Sequence, residues 1–165
     1  MRGQLVGATA PRTLPAGLVE RCVAPGDGPA LGRLMADAYR GTVDDHGEDE
    51  TWHRAEAAKT LQGHFGAVVW HASPVAVDGG KLAGACLVTD DGPYLLLAFA
   101  LVAPRWQGRG VGTTLIARRA QALLAAGHRE WTLAVTAGNP ARRLYERLGF
   151  VGDDSLRETW SDRSG

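Results

Sequence analysis

Glycines crowd the stretch QGRGVG, from Gln107 to Gly112, which stands between an apolar run and an apolar helical pattern. The first N–H groups of a helix lack partners within that helix, and the helix dipole adds partial positive charge at the same end. Glycines have no side chain, so they let a phosphate approach the backbone closely, and they adopt backbone angles that other residues avoid. Arg105 and Arg109 add positive charge nearby, and Thr113 offers a hydroxyl. The stretch therefore predicts an anion-binding turn.

Two widespread phosphate-binding motifs do not fit this stretch. A Walker A loop needs a lysine followed by serine or threonine, and no lysine lies here. The dinucleotide fingerprint G-x-G-x-x-G fails too, because its last glycine would fall on Thr113 or Leu115. A nucleotide-binding α/β protein stays a minor alternative, and a simple tight connection between strand and helix is another.

Charge is balanced over the whole chain but uneven along it. The formal net charge is +0, so no global basic field argues for nucleic acid. Five acids and no lysine or arginine lie from Asp44 to Glu50, whereas no acid and five arginines lie between Asp91 and Glu130. This asymmetry favours a cation-facing loop and an anion-binding region, with two solvated faces as the alternative. The arginines are Arg105, Arg109, Arg118, Arg119 and Arg129.

The bulk properties are those of one soluble domain. The 165 residues suit a single domain, which we place at 18–165, with residues 1–17 as a flexible leader or an extra edge strand. The start lacks the apolar core of a signal peptide, and the longest apolar run, Tyr94 to Ala103, is too short for a membrane helix. Cys22 and Cys86 give neither a disulfide framework nor metal-ligand spacing. We expect a cytoplasmic protein with no membrane partner and no metal.

The first half of the chain predicts a strand, two helices and then hairpins. The strand is LVERCVA, and the helices are PALGRLMADAY and TWHRAEAAKTLQGHF, the second with Thr51 as its N-cap. Asp-Gly pairs at Asp78–Gly80 and Asp90–Pro93 indicate an antiparallel meander. Its last strand, Tyr94 to Val102, is apolar on both faces, which predicts a central position covered by helices on both sides.

The second half predicts a helix after the glycines, a strand at Glu130–Thr136 and a final helix. Gly127 ends the first helix, whereas Asn139 and Pro140 open the last one and Gly149 ends it. FVGDD and SLRETW are expected to form short terminal strands. Together these elements indicate one α+β domain with a mixed sheet.

Two motifs in this half resemble those of a known superfamily. LVAPRWQGRGVGTTLI resembles motif A of the GNAT superfamily of acyl-CoA-dependent N-acyltransferases, whose (Gln/Arg)-x-x-Gly-x-(Gly/Ala) signature follows a strand ending in Val-x-Pro. Here the signature residues are Gln107, Gly110 and Gly112, after Val102 and Pro104.

Downstream, NPARRLYERLGF resembles motif B of the same superfamily at Asn139, Tyr145, Gly149 and Phe150. The resemblance covers 18–150 in element order and is specific in residues from Ala100 onward. It implies a GNAT-like α+β fold, in which a mixed, mostly antiparallel sheet is flanked by helices on both faces and splayed between its fourth and fifth strands.

The resemblance also implies a site. The diphosphate of acetyl-CoA would lie on the main-chain amides of the turn, and the pantetheine arm would run beside Leu101 and Val102, where a backbone N–H would stabilise an oxyanion. Tyr145 would protonate the departing thiolate, unless it only packs on its helix. Asn139 would cap its helix, contact the pantetheine, or both. The amides belong to Gln107, Gly108, Arg109, Gly110, Val111, Gly112 and Thr113.

The chain departs from the family pattern in its general base. Many relatives carry a glutamate on the fourth strand, but no acid lies from Gly92 to Arg129. Candidate bases lie instead in the acidic loop, at Asp44, Asp45, His46 and Glu48, each of which is equally well explained as a solvated side chain. The remaining histidines and most tryptophans are expected at the surface, in packing or at interfaces: His53, His64, His71, His128, Trp70, Trp106, Trp131 and Trp160.

Two functions follow from the resemblance. The first is an N-acetyltransferase that moves the acetyl group of acetyl-CoA directly to a small-molecule or peptide amine, to which the acidic loop would lend a preference for cations. The second is a non-catalytic acyl-CoA-binding sensor or structural module of the same fold. Because only fifteen residues follow Phe150, the leader or a neighbouring subunit of a homodimer is expected to wall the acceptor site.

Overall fold

The computed structural model describes residues 1–5 and 12–153. The described strands are β1 (Arg2–Gln4), β2 (Val19–Cys22), β3 (Ala67–Val68), β4 (Pro74–Asp78), β5 (Lys81–Asp90), β6 (Leu95–Val102), β7 (Glu130–Thr132) and β8 (Phe150–Val151). The described helices are α1 (Gly28–Tyr39), α2 (Glu50–Leu61), α3 (Val111–Ala125) and α4 (Ala141–Arg147). No helix in these residues is long and apolar enough to cross a membrane.

The strands form one mixed sheet in the order β2-β4-β5-β6-β7-β1-β8, and β3 pairs with β5. Neighbouring strands run antiparallel except for β6 and β7, which are parallel. The parallel pair is short, since it joins only Leu95 to Trp131 and Leu96 to Thr132. The predicted α+β architecture with a splayed, mostly antiparallel sheet is therefore confirmed.

Both faces of the central strands are buried, which explains their continuous apolar sequence. Along β5, Cys86 and Val88 pack into a cluster with Leu115 of α3, whereas Ala85 and Leu87 pack into a second cluster with α1 and α2. Each face thus receives its own helical layer, as predicted for a strand without a polar side.

The parallel pairing of β6 with β7 ends at Thr132, whereas the pairing of β7 with the N-terminal segment on its other edge continues one residue further. Leu133 N–H donates to the Met1 carbonyl at 2.9 Å, and the Met1 ammonium donates to the Leu133 carbonyl at 2.6 Å. Residues 133–136, which the sequence predicted as strand, therefore leave β6. The strand Arg2–Gln4 pairs with β7 on one side and β8 on the other, so it has neighbours at both edges.

Two helix starts differ from the predictions. The prediction of Thr51 as the N-cap of α2 is wrong, because the extended Asp49 accepts a hydrogen bond from Trp52 N–H at 2.8 Å and the helix begins at Glu50. Helix α4 begins at Ala141, one residue after the predicted Pro140. The strand predicted at SLRETW and the placement of Trp160 fall outside the described residues.

Candidate functional site

The glycine-rich turn delivers the chain from β6 to the start of α3. Gly108 and Gly110 have φ angles of +72° and +80°, which side-chain-bearing residues rarely adopt. A Cβ built on either glycine meets nothing within 4 Å, so the space beside the turn is open. At Gly84 of β5, by contrast, a Cβ would lie 2.9 Å from Val111, which shows how closely the start of α3 approaches the sheet.

Main-chain donors accumulate at this turn. Within the described residues, no hydrogen bond is donated by the N–H groups from Gly108 to Thr113, and the first helical bond runs from Thr114 N–H to the Gly110 carbonyl at 2.9 Å. Gln107 N–H differs, because it donates to the Pro104 carbonyl at 3.3 Å. The Gln107 side chain donates to the Val102 carbonyl at 3.1 Å and so ties the turn to the end of β6. The result is a run of vacant donors at a helix N-terminus, which suits an anion.

Fewer unpaired arginines are available near the turn than the arginine count of the sequence suggested. Asp78 pairs with Arg105 and accepts from the Trp106 indole N–H at 3.3 Å. The Arg109 guanidinium lies 5.1 Å from the centre of the Trp106 ring. Glu20 binds both Arg118 and Arg119 at 2.6 Å. Three of the five arginines counted in the sequence are therefore already ion-paired, and the turn depends mainly on its backbone for anion binding.

A cleft of about 570 Å³ opens where β6 and the residues after β7 diverge. Residues 96–100 of β6 and residues 133–136 after β7 line the cleft. The acidic loop, α2 and Tyr145 of α4 also contribute to its lining. Leu101 and Val102 continue β6 beyond this lining, with Leu101 buried against the α1–α2 layer.

A β-bulge interrupts β6 inside the cleft. Leu87 of β5 pairs with Phe99 and Val88 pairs with Leu97, so Ala98 has no partner opposite it. The extra residue of a bulge lies outside the ladder, and β7 no longer reaches this part of β6. The edge of β6 that faces away from β5 thus has no described strand partner at residues 97–100, a few residues before the Leu101 and Val102 amides expected from the sequence.

Tyr145 both packs in the core and lines the cleft. Its ring meets Phe150 edge-on at 5.9 Å, and the residue is 9% exposed. Burial raises the pKa of its hydroxyl to about 12, with smaller contributions from Cys86 and Asp44. The hydroxyl therefore keeps its proton at neutral pH and can donate a hydrogen bond. The two interpretations of Tyr145, packing and proton donation, are compatible.

The acidic loop reaches across the cleft through Asp44. Its carboxylate accepts a hydrogen bond from the Thr136 hydroxyl and another from the Asn139 amide at 2.6 Å. Asn139 Oδ1 in turn accepts from Ala141 N–H at 2.8 Å, so this side chain supports the first turn of α4 while it holds Asp44.

The other predicted bases of the loop divide into two groups. His46 and Glu48 line the cleft, and Glu48 accepts a hydrogen bond from His46 N–H at 3.1 Å. Asp45 does not line it. Its carboxylate instead accepts the N–H groups of Gly41 and Gly47, which lower its pKa.

His53 was missed by sequence reasoning, which assigned it to surface or packing. It lines the cleft from α2, is 4% exposed, and its Nδ1 is buried with no partner among the described residues. Its ring packs edge-on against Trp52 at 5.1 Å and lies 5.8 Å from that of Tyr39. Buried histidine nitrogens are usually paired, so an unpaired one beside a cleft points to a ligand. Only the packing of α2 reveals this, because no sequence motif marks the residue.

Comparison with known proteins places this arrangement in a family. The sequence profile described as the acetyltransferase (GNAT) family matches residues 30–150. The chain belongs to the GNAT acetyltransferase family. The predicted superfamily resemblance is therefore confirmed. The comparison with curated proteins finds no match.

Solved GNAT structures share the fold at low sequence identity. A GCN5-related N-acetyltransferase from Sphaerobacter thermophilus superposes with a TM-score of 0.67 at 21% identity, covering 89% of this chain. This chain spans 45% of that protein. The PaiA N-acetyltransferase from Thermoplasma acidophilum, in complex with coenzyme A, gives 0.67 at 17% identity over 83% of this chain and 91% of its own. A GNAT acetyltransferase from Brucella melitensis, in complex with acetyl-CoA, gives 0.57 at 22% identity over 77% and 80%.

The residues of this GNAT chain fit the cosubstrate that the family implies. Its diphosphate needs several hydrogen-bond donors, and the turn from Gly108 to Thr113 presents main-chain N–H groups with no protein partner among the described residues. The extended pantetheine needs an unpaired strand edge, and residues 97–100 offer one beside the open cleft. No described cluster of three histidine, cysteine, aspartate or glutamate side chains could hold a metal ion.

Proposed function

We propose that this protein transfers an acetyl group from acetyl-CoA to an amine acceptor, by direct attack of the amine within a ternary complex. The observation that carries the proposal is the run of unpartnered N–H groups from Gly108 to Thr113, at the end of the strand that borders the cleft. Acetyl-CoA, when bound, supplies the acetyl thioester.

The turn is proposed to hold the diphosphate through the main-chain amides of 107–113, with those of Gly108 to Thr113 free to donate. Leu101 and Val102 are retained as contacts at the end of β6, while residues 97–100 supply the unpaired strand edge within the cleft. An N–H group at the Ala98 bulge is the proposed donor to the developing negative oxygen, because Ala98 has no partner residue on β5 and lines the cleft.

Tyr145 is the proposed general acid. A thiolate leaves more readily when a nearby hydroxyl donates a hydrogen bond or a proton to it. The pKa of Tyr145, raised to about 12 by burial, keeps that hydroxyl protonated across the working pH range. Asn139 is proposed as a further contact, held in place by Asp44.

The acceptor amine must lose a proton, and the proposed bases are the cleft-lining groups of the acidic loop together with His53. His46 and Glu48 lie at the cleft, and His53 presents a buried ring to it. Histidine titrates in the range that proton transfer at neutral pH requires. Asp45 is the weakest of the predicted bases, since its carboxylate is occupied by loop N–H groups.

Thiol release from acetyl-CoA in the presence of an amine panel tests the proposal. We expect turnover that Tyr145→Phe lowers by about 10²- to 10³-fold, the usual contribution of a positioned general acid. The matched control is Tyr94→Phe, because Tyr94 lies outside the cleft lining and meets Arg2 instead. Binding of coenzyme A without turnover on any amine would favour the sensor or structural module, and absence of binding would remove both functions.

A further inference from the structure

The part of the cleft that is lined by α1, α2, β6 and the acidic loop is called here the acceptor end, and it carries several aromatic rings. Tyr39 of α1, Trp52 of α2, Phe65 of the loop after α2, and Phe99 of β6 all line it. Trp52 and Phe65 are 46% and 38% exposed, although large aromatic side chains are usually buried. Exposed aromatic rings that gather at one cavity mark a surface that binds an apolar group.

The charges at this end have a single sign. Asp44, Glu48 and Glu56 line the cleft, and no lysine or arginine does so among the described residues. Glu56 is paired with Lys59 at 2.6 Å. Asp44 and Glu48 accept hydrogen bonds only from neutral groups and form no ion pair with another described residue. No described lysine or arginine pairs with these two carboxylates, so the cleft favours a cation.

Few polar groups at this end are free for a hydroxyl-rich ligand. Thr136, Asn139 and Asp44 bond to one another, and Glu56 bonds to Lys59. His46, Glu48 and His53 are left to meet an acceptor. An aminosugar would lose more hydrogen bonds to water than these three side chains could replace.

From these observations, and resting on the proposed acetyl transfer, we propose that the acceptor is an arylalkylamine-type cation, an ammonium group on a short chain attached to an aromatic ring. The ring would pack between Trp52 and Phe65, and the ammonium would approach Glu48 on its way to the bulge of β6. A ring in this position also allows favourable aromatic pairing and cation–π contact.

Matched acceptors test the proposal at a fixed acetyl-CoA concentration. The acceptors are 2-phenylethylamine, ethylamine, glucosamine and spermidine. We expect kcat/KM for 2-phenylethylamine to exceed each of the others by about tenfold or more, the effect of one well-packed ring. Equal or faster turnover of glucosamine or spermidine would overturn the acceptor class and leave the transfer reaction standing.

Variants separate the ring from the charge. Trp52→Ala should lower kcat/KM for 2-phenylethylamine about tenfold more than it lowers kcat/KM for ethylamine, so that an effect through the neighbouring His53 ring cancels in the ratio. Trp70→Ala is its control, because Trp70 is similarly exposed at 37% but lies outside the cleft lining. Glu48→Gln should lower both values about tenfold, and Glu50→Gln, at a residue paired with Arg54 outside the lining, should lower neither. Equal effects of Trp52→Ala and Trp70→Ala would contradict the ring contact.

Binding decides the case in which no amine is acetylated. The proposed function then fails, and calorimetry with 2-phenylethylammonium and its uncharged analogue 2-phenylethanol is measured in the presence of coenzyme A. Tighter binding of the ammonium by about tenfold supports the aryl-cation site as a binding site. Equal or undetectable binding of the two compounds overturns it.

Discussion

The glycine-rich turn, called here the cofactor end, and the acceptor end of the cleft are built in different ways. The cofactor end uses consecutive main-chain N–H groups of residues 108–113, which lie outside the cleft lining, whereas the acceptor end uses side chains from α1, α2, β6 and the acidic loop. A backbone cradle tolerates changes of most of its side chains but not a change of its backbone path. A side-chain pocket behaves in the opposite way, because each residue contributes its own surface and charge. Substitutions at the two ends should therefore differ in both size and kind.

The largest effect is expected at the cofactor end. Gly110→Glu places bulk and negative charge at a backbone position of φ +80°, so we expect coenzyme A affinity to fall by at least about a hundredfold. Calorimetric titration measures the loss, with circular dichroism as the check on folding. Gly127→Glu is the control, because Gly127 has a φ of +95° at the opposite end of α3. Unchanged affinity in the Gly110 variant would refute the cradle.

Tyr145, which lines the cleft, should make the free energy of unfolding depend on pH in the alkaline range. Its pKa is about 12 in the folded chain and about 10 when unfolded. The folded state therefore keeps a proton that the unfolded state loses, and stability falls as pH rises from about 10 to 12. We expect Tyr145→Phe to make this alkaline decline in the free energy of unfolding shallower by about 1.4 kcal/mol between pH 8 and pH 11, because one pKa unit separates each state from pH 11. Denaturant unfolding at pH 8 and pH 11 measures it, and an unchanged slope would count against a buried hydroxyl.

Asp44 links the acceptor loop to the far wall of the cleft. Asp44→Ala removes the hydrogen bonds to Thr136 and Asn139, so we expect a loss of about 1–2 kcal/mol of stability and a several-fold rise in acceptor KM. Asp45→Ala alters the neighbouring carboxylate, which bonds only within its own loop and does not line the cleft. Its effect on acceptor KM should be clearly smaller. Equal rises in the two variants would show that general loosening of the loop, rather than the cross-cleft contact, is responsible.

The variant His53→Leu should give the smallest change in stability, and this change should be stabilising rather than destabilising. Replacing a buried, unpaired Nδ1 with carbon in His53→Leu removes a desolvation cost, so the free energy of unfolding should stay constant or rise by up to about 1 kcal/mol. Turnover should fall several-fold, because the cleft loses a polar group. His71→Leu, at an exposed residue outside the lining, should leave turnover unchanged. A marked destabilisation by His53→Leu would indicate that the ring serves packing.

The elements on either side of the glycine turn could be predicted from the sequence, because local residue patterns determine their local structure. The predicted helix and strand boundaries around the glycine turn agree closely with β6 and α3. An apolar run on both faces fits a buried strand, and an apolar stripe at helical spacing fits a helix. Three of the four candidate bases in the acidic loop, Asp44, His46 and Glu48, line the cleft, whereas Asp45 does not. The arginine count was misleading, since sequence order does not reveal that Asp78 and Glu20 lie beside those arginines in space.

The glycine spacing and the double-sided apolar strand were enough to predict a tight turn from strand to helix with free N–H groups, because that geometry follows from local residue type, whereas the GNAT fold was implied by the resemblance of two motifs. Only the tertiary structure decided that β6 and β7 part after Thr132, that Ala98 has no partner residue on β5, and that His53 lines the cleft. Those features depend on contacts between distant segments, whose energies no short stretch of sequence contains.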